Sequence, residues 1–403
     1  MMNVIFSPEI TFWVFGLVIF SPLFFFKSAF VKLTLAIYAY PIWVMFGLWV
    51  GIPATRVIRN VGIDFYDAQL GSACFYSLLS YCLFVCSLRK LRDRDYSFHR
   101  IPLTVGQRVF FLVMLILVLP VAYPAAWGVG SDRFGSFGSL VVVFFAVIVC
   151  SKSNSSKFDV LLSLVAALIM FMVFHGERVD FILMFAAIYI IAKGTSFVSL
   201  YKLAILVSFF LVIGIYGGIN RAGGALDVTE LFSIVSFAIT NFGTAVDVVH
   251  VYLSSSWYYE NISSDFRPII NVISSYLPLL PKSGAGSDYN FVWILREYID
   301  NVGGGTFYTA SMMAAGGFGV VISGYVYGVL FRFLFRQELY YSPVFIAFFV
   351  MQFRLQWYGL TYFGNVIFSM TILWAVLYVI RKQGLVVSKN KRLGRQLRDI
   401  EVG

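Results

Sequence analysis

The sequence predicts an all-α polytopic membrane protein, and three observations carry that prediction. Of 403 residues, 60% are hydrophobic and only 12% charged, with a mean hydropathy of +0.84, which no single water-soluble core of this size can hide. The apolar residues come in runs near the length at which a helix crosses a hydrocarbon layer while satisfying its backbone internally. The basic residues are distributed unevenly between the intervals that separate those runs.

Apolar windows place eleven spans at about 6–26, 30–50, 70–88, 108–128, 135–150, 158–175, 179–193, 200–220, 307–331, 339–355 and 361–380. Residues 1–26 lack a basic start and a small-residue cleavage site, so they read as the first span rather than a removed leader. The four cysteines, Cys74, Cys82, Cys86 and Cys150, fall inside spans without metal-type spacing and read as small packing residues. The seventh span lies near the lower length limit, and polar neighbours interrupt the tenth around Pro343–Phe353. The ninth carries Ala310, Ala314, Ala315, Gly316, Gly317, Gly319, Gly324 and Gly328, a composition that lets helices approach closely. No internal repeat is evident, and the whole chain, 1–403, reads as one membrane domain.

Positive charge sets the orientation. The interval 89–108 holds six basic residues and is expected on the cytoplasmic side; alternating outward from it puts 21 of the 30 Lys and Arg inside. The N-terminus and the long segment 221–306 then lie on the extracytoplasmic face, and the basic tail 381–403 lies in the cytoplasm, against anionic lipid or in water. A short basic tail gives no reason to expect a nucleic-acid partner.

The segment 221–306 is the longest interval that does not read as lipid-soluble helix, and it is too apolar for a flexible linker. Charged residues such as Asp247, Glu260, Asp265, Arg267, Arg296 and Asp300 interleave with Phe232, Trp257, Tyr258, Tyr259 and Trp293. Amphipathic pieces, 231–253 and 291–298, suggest short helices lying on or dipping into the membrane face.

Eight arginines and one lysine sit outside, where the charge bias would otherwise remove them. Their planar forks suit phosphate and carboxylate, so arginines converging at the outer mouth of a bundle suggest a bound anion, most simply a lipid phosphate or diphosphate. His175-Gly-Glu-Arg-Val-Asp180 packs four ionisable groups into one short turn. It is either a salt-bridged anchor or an anion clamp at Arg178 with Glu177, Asp180 or His175 as its orienting partner or proton acceptor. Arg221 leaves the eighth span between glycine pairs that either end the helix or admit a ligand. His250 reads as a packing or surface residue of an amphipathic helix, or as a base; Arg267, before Pro268, reads as a surface charge or an anion ligand. Arg296 and Glu297 precede Gly303-Gly304-Gly305, a hinge or close-approach site ahead of the ninth span. Arg354, in Gln-Phe-Arg-Leu-Gln, completes the outer set as headgroup anchor or ligand. No metal, phosphate-loop or nucleophile-elbow motif is present, so neither a metal nor a cofactor is expected.

With its many spans, high Phe, Tyr and aliphatic content, the outer Gly176-Glu177-Arg178 element, one large late outer segment and the Gly-rich entry to a late span, the chain resembles the Wzy family of O-antigen repeat-unit polymerases. Arg178, followed by fifteen residues and then Gly194, is similar to an Arg-spaced-Gly element of some members. The resemblance implies a GT-C-like, metal-independent glycosyltransferase of the bacterial inner membrane. It would move a growing glycan from undecaprenyl diphosphate to the non-reducing end of a new lipid-linked repeat unit at the periplasmic face. Arg178 with Arg221, Arg267 or Arg296 would neutralise the leaving diphosphate, Arg354 would complete the set, and Glu177, His250 or Glu297 would serve as base. Membrane lipids and the undecaprenyl-diphosphate-linked oligosaccharide are the expected partners, with a Wzz-type chain-length regulator as a further candidate. An O-antigen ligase shares the donor, and a flippase or transporter of lipid-linked sugars is the non-enzymatic alternative; the latter expects ionisable groups at mid-bilayer depth.

Overall fold

The computed structural model describes residues 7–51, 63–91, 101–122, 139–152, 156–173, 179–193, 205, 246–276, 288–301, 304–335, 341–360, 371 and 375. Apart from residues 205, 371 and 375, the expected eighth and eleventh spans and the basic tail lie outside this set. The chain is mostly helical. The described strand pairing is one parallel two-residue bridge, Ile101–Pro102 with Ser151–Lys152.

The helices run in the order α1 (Pro8–Phe20), α2 (Ala29–Trp49), α3 (Ile63–Leu88), α4 (Val105–Ala122), α5 (Ser139–Cys150), α6 (Ser156–Val173) and α7 (Val179–Lys193). Then follow α8 (Val246–Asn261), α9 (Arg267–Tyr276), α10 (Phe291–Arg296), α11 (Thr309–Leu334), α12 (Tyr341–Val350) and α13 (Gln352–Tyr358). Among the described residues, four stretches are long and apolar enough to cross a membrane: Pro8–Phe25, Ala29–Trp49, Gln69–Leu91 and Thr309–Leu334. The expected tenth span is divided at Met351 into α12 and α13. α1 begins as its sequence suggests, with the Ser7 hydroxyl accepting from the Ile10 amide, Pro8 in the first turn and Glu9 behind it.

The centre of the bundle is the α3–α11 pair. Gly317, Gly324 and Gly328 share one face of α11, and a Cβ on them would run into the Tyr76 ring, the Ser80 carbonyl and the Ser87 hydroxyl of α3. That closeness brings polar groups into reach: Ser80 Oγ donates to the Val320 carbonyl at 2.7 Å. Its proton thus spoken for, it accepts from the Tyr38 hydroxyl of α2 at 2.6 Å.

A second group, α4 to α7, is tied at one end by a buried charge pair. Arg108 donates to Ser151 at 2.6 Å and to Asp159 at 2.5 Å, with its guanidinium over the Phe158 ring. Three helices therefore meet at one side chain. α12 packs against α5 and α7, and Phe345 to Val350 are buried on every side of it.

α11 is not a single straight crossing. Ala315 and Gly316 leave helical conformation, Gly316 with φ 59°, and the Ser311 and Ser323 hydroxyls stand 2.7 Å apart. In a straight helix those residues would be about 18 Å apart, so the chain reverses at 315–316 and the short arm lies back along the long one. Residues 317–334, about 27 Å at 1.5 Å per residue, make the crossing. The short arm starts deep: the Phe307 ring is 5.2 Å from Tyr38 and 4.9 Å from Tyr327, and Tyr327 lies about 16 Å along the helix from the break. The stretch 304–315 therefore enters the bundle, turns and climbs out before the chain crosses. Irregular backbone at 304–308 is thus enclosed by the bundle, which is permitted where protein surrounds it.

Candidate functional site

α8, α9 and α10 pack onto this re-entrant arm through a core of their own: Val251, Tyr258, Val272, Phe291, Ile294, Leu295, Ala310 and Met313. The Asp265 amide donates to the Met313 carbonyl at 2.9 Å, and the Tyr259 ring occupies the space that a side chain at Gly316 would need. α8 reaches the bundle as well, its Tyr252 hydroxyl donating to the Ala73 carbonyl at 3.3 Å. The segment expected to work as an outer loop is thus bolted to the central helices.

Three predicted site residues, Glu177, Arg178 and Arg221, lie outside the described residues. The others fall in three places. Arg296 closes α10, whose start is capped by the Asn290 side chain accepting from the Val292 amide. Its guanidinium sits 4.6 Å over the Trp293 ring, and its Nε donates to the Asn301 carbonyl at 3.1 Å. Glu297 follows as an exposed carboxylate. Both are open to a ligand, with the guanidinium already oriented by the indole face.

Arg267 lies at the start of α9, gripped by Asp265 through Nε and Nη2 at 2.7–3.1 Å, yet still half exposed. Burial alone would push the Asp265 carboxyl up; the hydrogen bonds and charge of Arg267 outweigh it and hold the acid below its ordinary range. The Arg267 backbone amide donates to Asp265 as well, at 2.9 Å, and the Tyr258 hydroxyl at 3.3 Å. Arg267 is therefore a neutralised partner first and an anion ligand second. Tyr298, two residues after Arg296, packs against Tyr258 at 5.4 Å and Trp257 at 6.4 Å. Through Tyr298 and Tyr258 the Arg296 turn is joined to the Asp265–Arg267 pair in one aromatic ledge, and Trp293 and Tyr298 are exposed.

His250 and Arg354 are elsewhere. His250 is fully buried, not on a solvated face, and its Nε2 donates to the Asp300 carbonyl at 2.9 Å. Desolvation pulls its pKa below the ordinary histidine value, so the ring is neutral with its proton on Nε2. A ring sealed in this way orients the 300–301 loop. Arg354 lies on α13, also buried. Contacts through Tyr298 and Tyr258 link Arg296 with the Asp265–Arg267 pair, Glu297 is exposed next to Arg296, and His250 and Arg354 are buried.

The sequence reading missed Glu260. Its carboxylate, at the end of α8, accepts from Gln69 Nε2 at 2.7 Å, while Gln69 Oε1 accepts from Ser256 at 3.0 Å. An amide from α3 thus orients a carboxylate at the end of α8. The available signal was a single glutamine at the head of an apolar window.

Neither a protein-family model nor a curated protein nor a solved structure matches the chain. Function is therefore argued from the residues.

Proposed function

We propose that the chain is a lipid-linked oligosaccharide repeat-unit polymerase of the O-antigen type. In this reading it sits in a bacterial inner membrane, with α8–α10 at the periplasmic face, the N-terminus on that same side and the C-terminus in the cytoplasm. The observation that carries the reading is the ledge: Arg296 on the exposed Trp293 ring, joined through Tyr298 and Tyr258 to the Asp265–Arg267 pair. Flat aromatic faces suit sugar rings, and guanidinium forks suit a diphosphate.

The chemistry asks little more. The acceptor hydroxyl attacks the anomeric carbon of the donor glycan, the bond to the diphosphate oxygen breaks, and the hydroxyl proton passes to a carboxylate. Arg296, together with Arg178 and Arg221, meets the growing negative charge on the diphosphate. Glu297 or Glu177 takes the proton; His250 is sealed from the ledge and is not the base in this scheme. A Wzz-type regulator would act on product length from outside the site.

The test is the surface polysaccharide ladder of a strain deleted for the gene and complemented with Arg296→Ala or with wild-type protein. Core carrying a single repeat unit in the deletion strain supports the reading, as does the same product from Arg296→Ala with undiminished protein in the membrane. Loss of one such charge contact lowers turnover by about 10²–10³. Bare core with accumulated lipid-linked polymer would turn the assignment to a ligase, and an unchanged ladder would end both.

A further inference from the structure

Basic side chains gather at one end of the central helix pair. α3 and α11 run parallel, since Tyr76 meets Gly317, Ser80 meets Gly324 and Ser87 meets Gly328, the residue numbers rising together. At their shared end Arg332, in the last turn of α11, donates through Nη1 to the Ser87 carbonyl at 3.3 Å. Ser87 stands two and three residues before Arg89 and Lys90, both exposed. The start of α2 comes to the same level: Phe30 and Phe331 both pack on the Phe345 ring, at 5.2 and 5.6 Å, and Lys27 and Lys32 flank Phe30 in the chain.

Among the described residues none of these five cations meets a carboxylate; the ion pairs there are Arg108–Asp159 and Arg267–Asp265. The neighbouring sequence does not cancel the charge either, because 89–95 holds four basic and two acidic residues and 332–338 holds two and one. Below this end both helices show apolar side chains to the outside, Leu79 and Leu83 on α3, Ile322, Val326 and Phe333 on α11. At about 100° per residue, the α3 set lies on one rotational side of the row that touches α11, and the α11 set lies on the opposite rotational side of its glycine row. For two parallel helices facing each other, opposite offsets point the same way. The exposed residues therefore form one apolar face that runs up to the basic end.

We propose that this end of the α3–α11 pair binds an anionic lipid, its phosphate held by Arg332, Arg89 and Lys90 and its acyl chains laid on the apolar face below. Guanidinium and ammonium groups at the edge of a bilayer are answered by phosphate. The face beside them commits that phosphate to a lipid, because a soluble anion would leave the apolar side chains without a partner. Orientation of the spans needs basic residues near their ends, and capping of α3 needs one donor; neither calls for a guanidinium fixed between two span ends with further cations around it. In the proposed orientation this is the cytoplasmic leaflet, and the inference uses no glycan chemistry.

The experiment takes the full chain in detergent and titrates phosphatidylglycerol into it, with phosphatidylcholine of the same acyl chains and inorganic phosphate as controls, reading the melting temperature. Wild type should melt about 2–3 °C higher at roughly tenfold excess over the dissociation constant, and with phosphatidylglycerol alone. Arg332→Gln should need about five- to tenfold more lipid for half the shift. Lys157→Gln, which removes an exposed charge from α6, should titrate like wild type. If Arg332→Gln does not accumulate, Lys90→Gln takes its place. An equal loss in Lys157→Gln would reduce the effect to diffuse attraction, and an equal shift with inorganic phosphate would make the ligand a free anion. Either result overturns the proposal, as does an equal shift with phosphatidylcholine or none at all in wild type. The titration involves no glycan transfer, so its failure leaves the polymerase reading to the ladder, and a failed ladder leaves this site standing.

Discussion

Two helices of the same length, ten residues each, show how differently apolar sequence is used in this chain. α12 is apolar all round and is buried all round, wedged against α5 and α7. α9 is amphipathic but turned inside out: Asn271, Ser274 and Ser275 are buried, while Phe266, Ile270 and Ile273 are more than half exposed. In water the reverse would hold. The buried serines cap their own helix, Ser274 donating to the Asn271 carbonyl and Ser275 to the Val272 carbonyl, so turning inward leaves their hydroxyls satisfied. α9 packs on α11, whose own outward residues are Phe318, Ile322, Tyr325 and Val326. The apolar face of α9 extends that outward surface. Hydrophobicity thus says which residues avoid water, and packing partners decide whether they meet protein or lipid.

The contrast breaks most sharply at α12. Phe348→Asp would bury an unpaired carboxylate against α5 and α7 and should cost at least about 4 kcal/mol, read as loss of folded protein from the membrane. Normal accumulation and melting would show that α12 is not enclosed. A titration of melting against pH separates interior from surface with a smaller effect. The folded pKa of His250 is depressed, so its contribution is complete above about pH 6.5 and is lost as pH falls below that value. The slope cannot exceed about 1.4 kcal/mol per pH unit for one proton, and His250→Gln should flatten it. Asp265 is also depressed, which puts its loss lower, below about pH 4; an unchanged slope in His250→Gln would assign the acid sensitivity to other groups. The smallest perturbation is a polarity probe on single cysteines, Ile270→Cys and Asn271→Cys, in nanodiscs with brominated lipid. Quenching roughly twofold stronger at position 270 would place that face in lipid, and equal quenching would return α9 to water.

Much of this architecture was legible in the sequence, for identifiable reasons. Among the described residues, helices stand at all nine apolar windows that fall within them, because a long apolar run has few other ways to satisfy its backbone. The fold-back in α11 was hidden: Ala314 to Gly317 reads from sequence as a packing stripe, and the reversal shows only in the non-helical backbone at 315–316 and the Ser311–Ser323 contact. The inversion of α9 was equally hidden, since periodicity gives two faces without saying which one meets lipid. For the same reason the sequence left His250 open between packing and surface, and the fold buries it. The Gln69–Glu260 bond joins residues 191 apart, beyond any local pattern. The ledge was half visible, its aromatics and arginines recognisable by type, while the Asp265 grip on Arg267 came only with the fold.

The Ser80–Val320 bond has a consequence for biosynthesis. Its two halves are 240 residues apart in the chain. At roughly 5–20 residues per second, α3 waits about 12–48 s in the membrane before the strand of message encoding its mate has been read. Throughout that wait Ser80 and Ser87 face whatever neighbours the nascent chain has. A transcript cut short before codon 309 would therefore leave α3 permanently unmatched, and the truncated product is expected to be cleared by quality control rather than to persist as a smaller bundle.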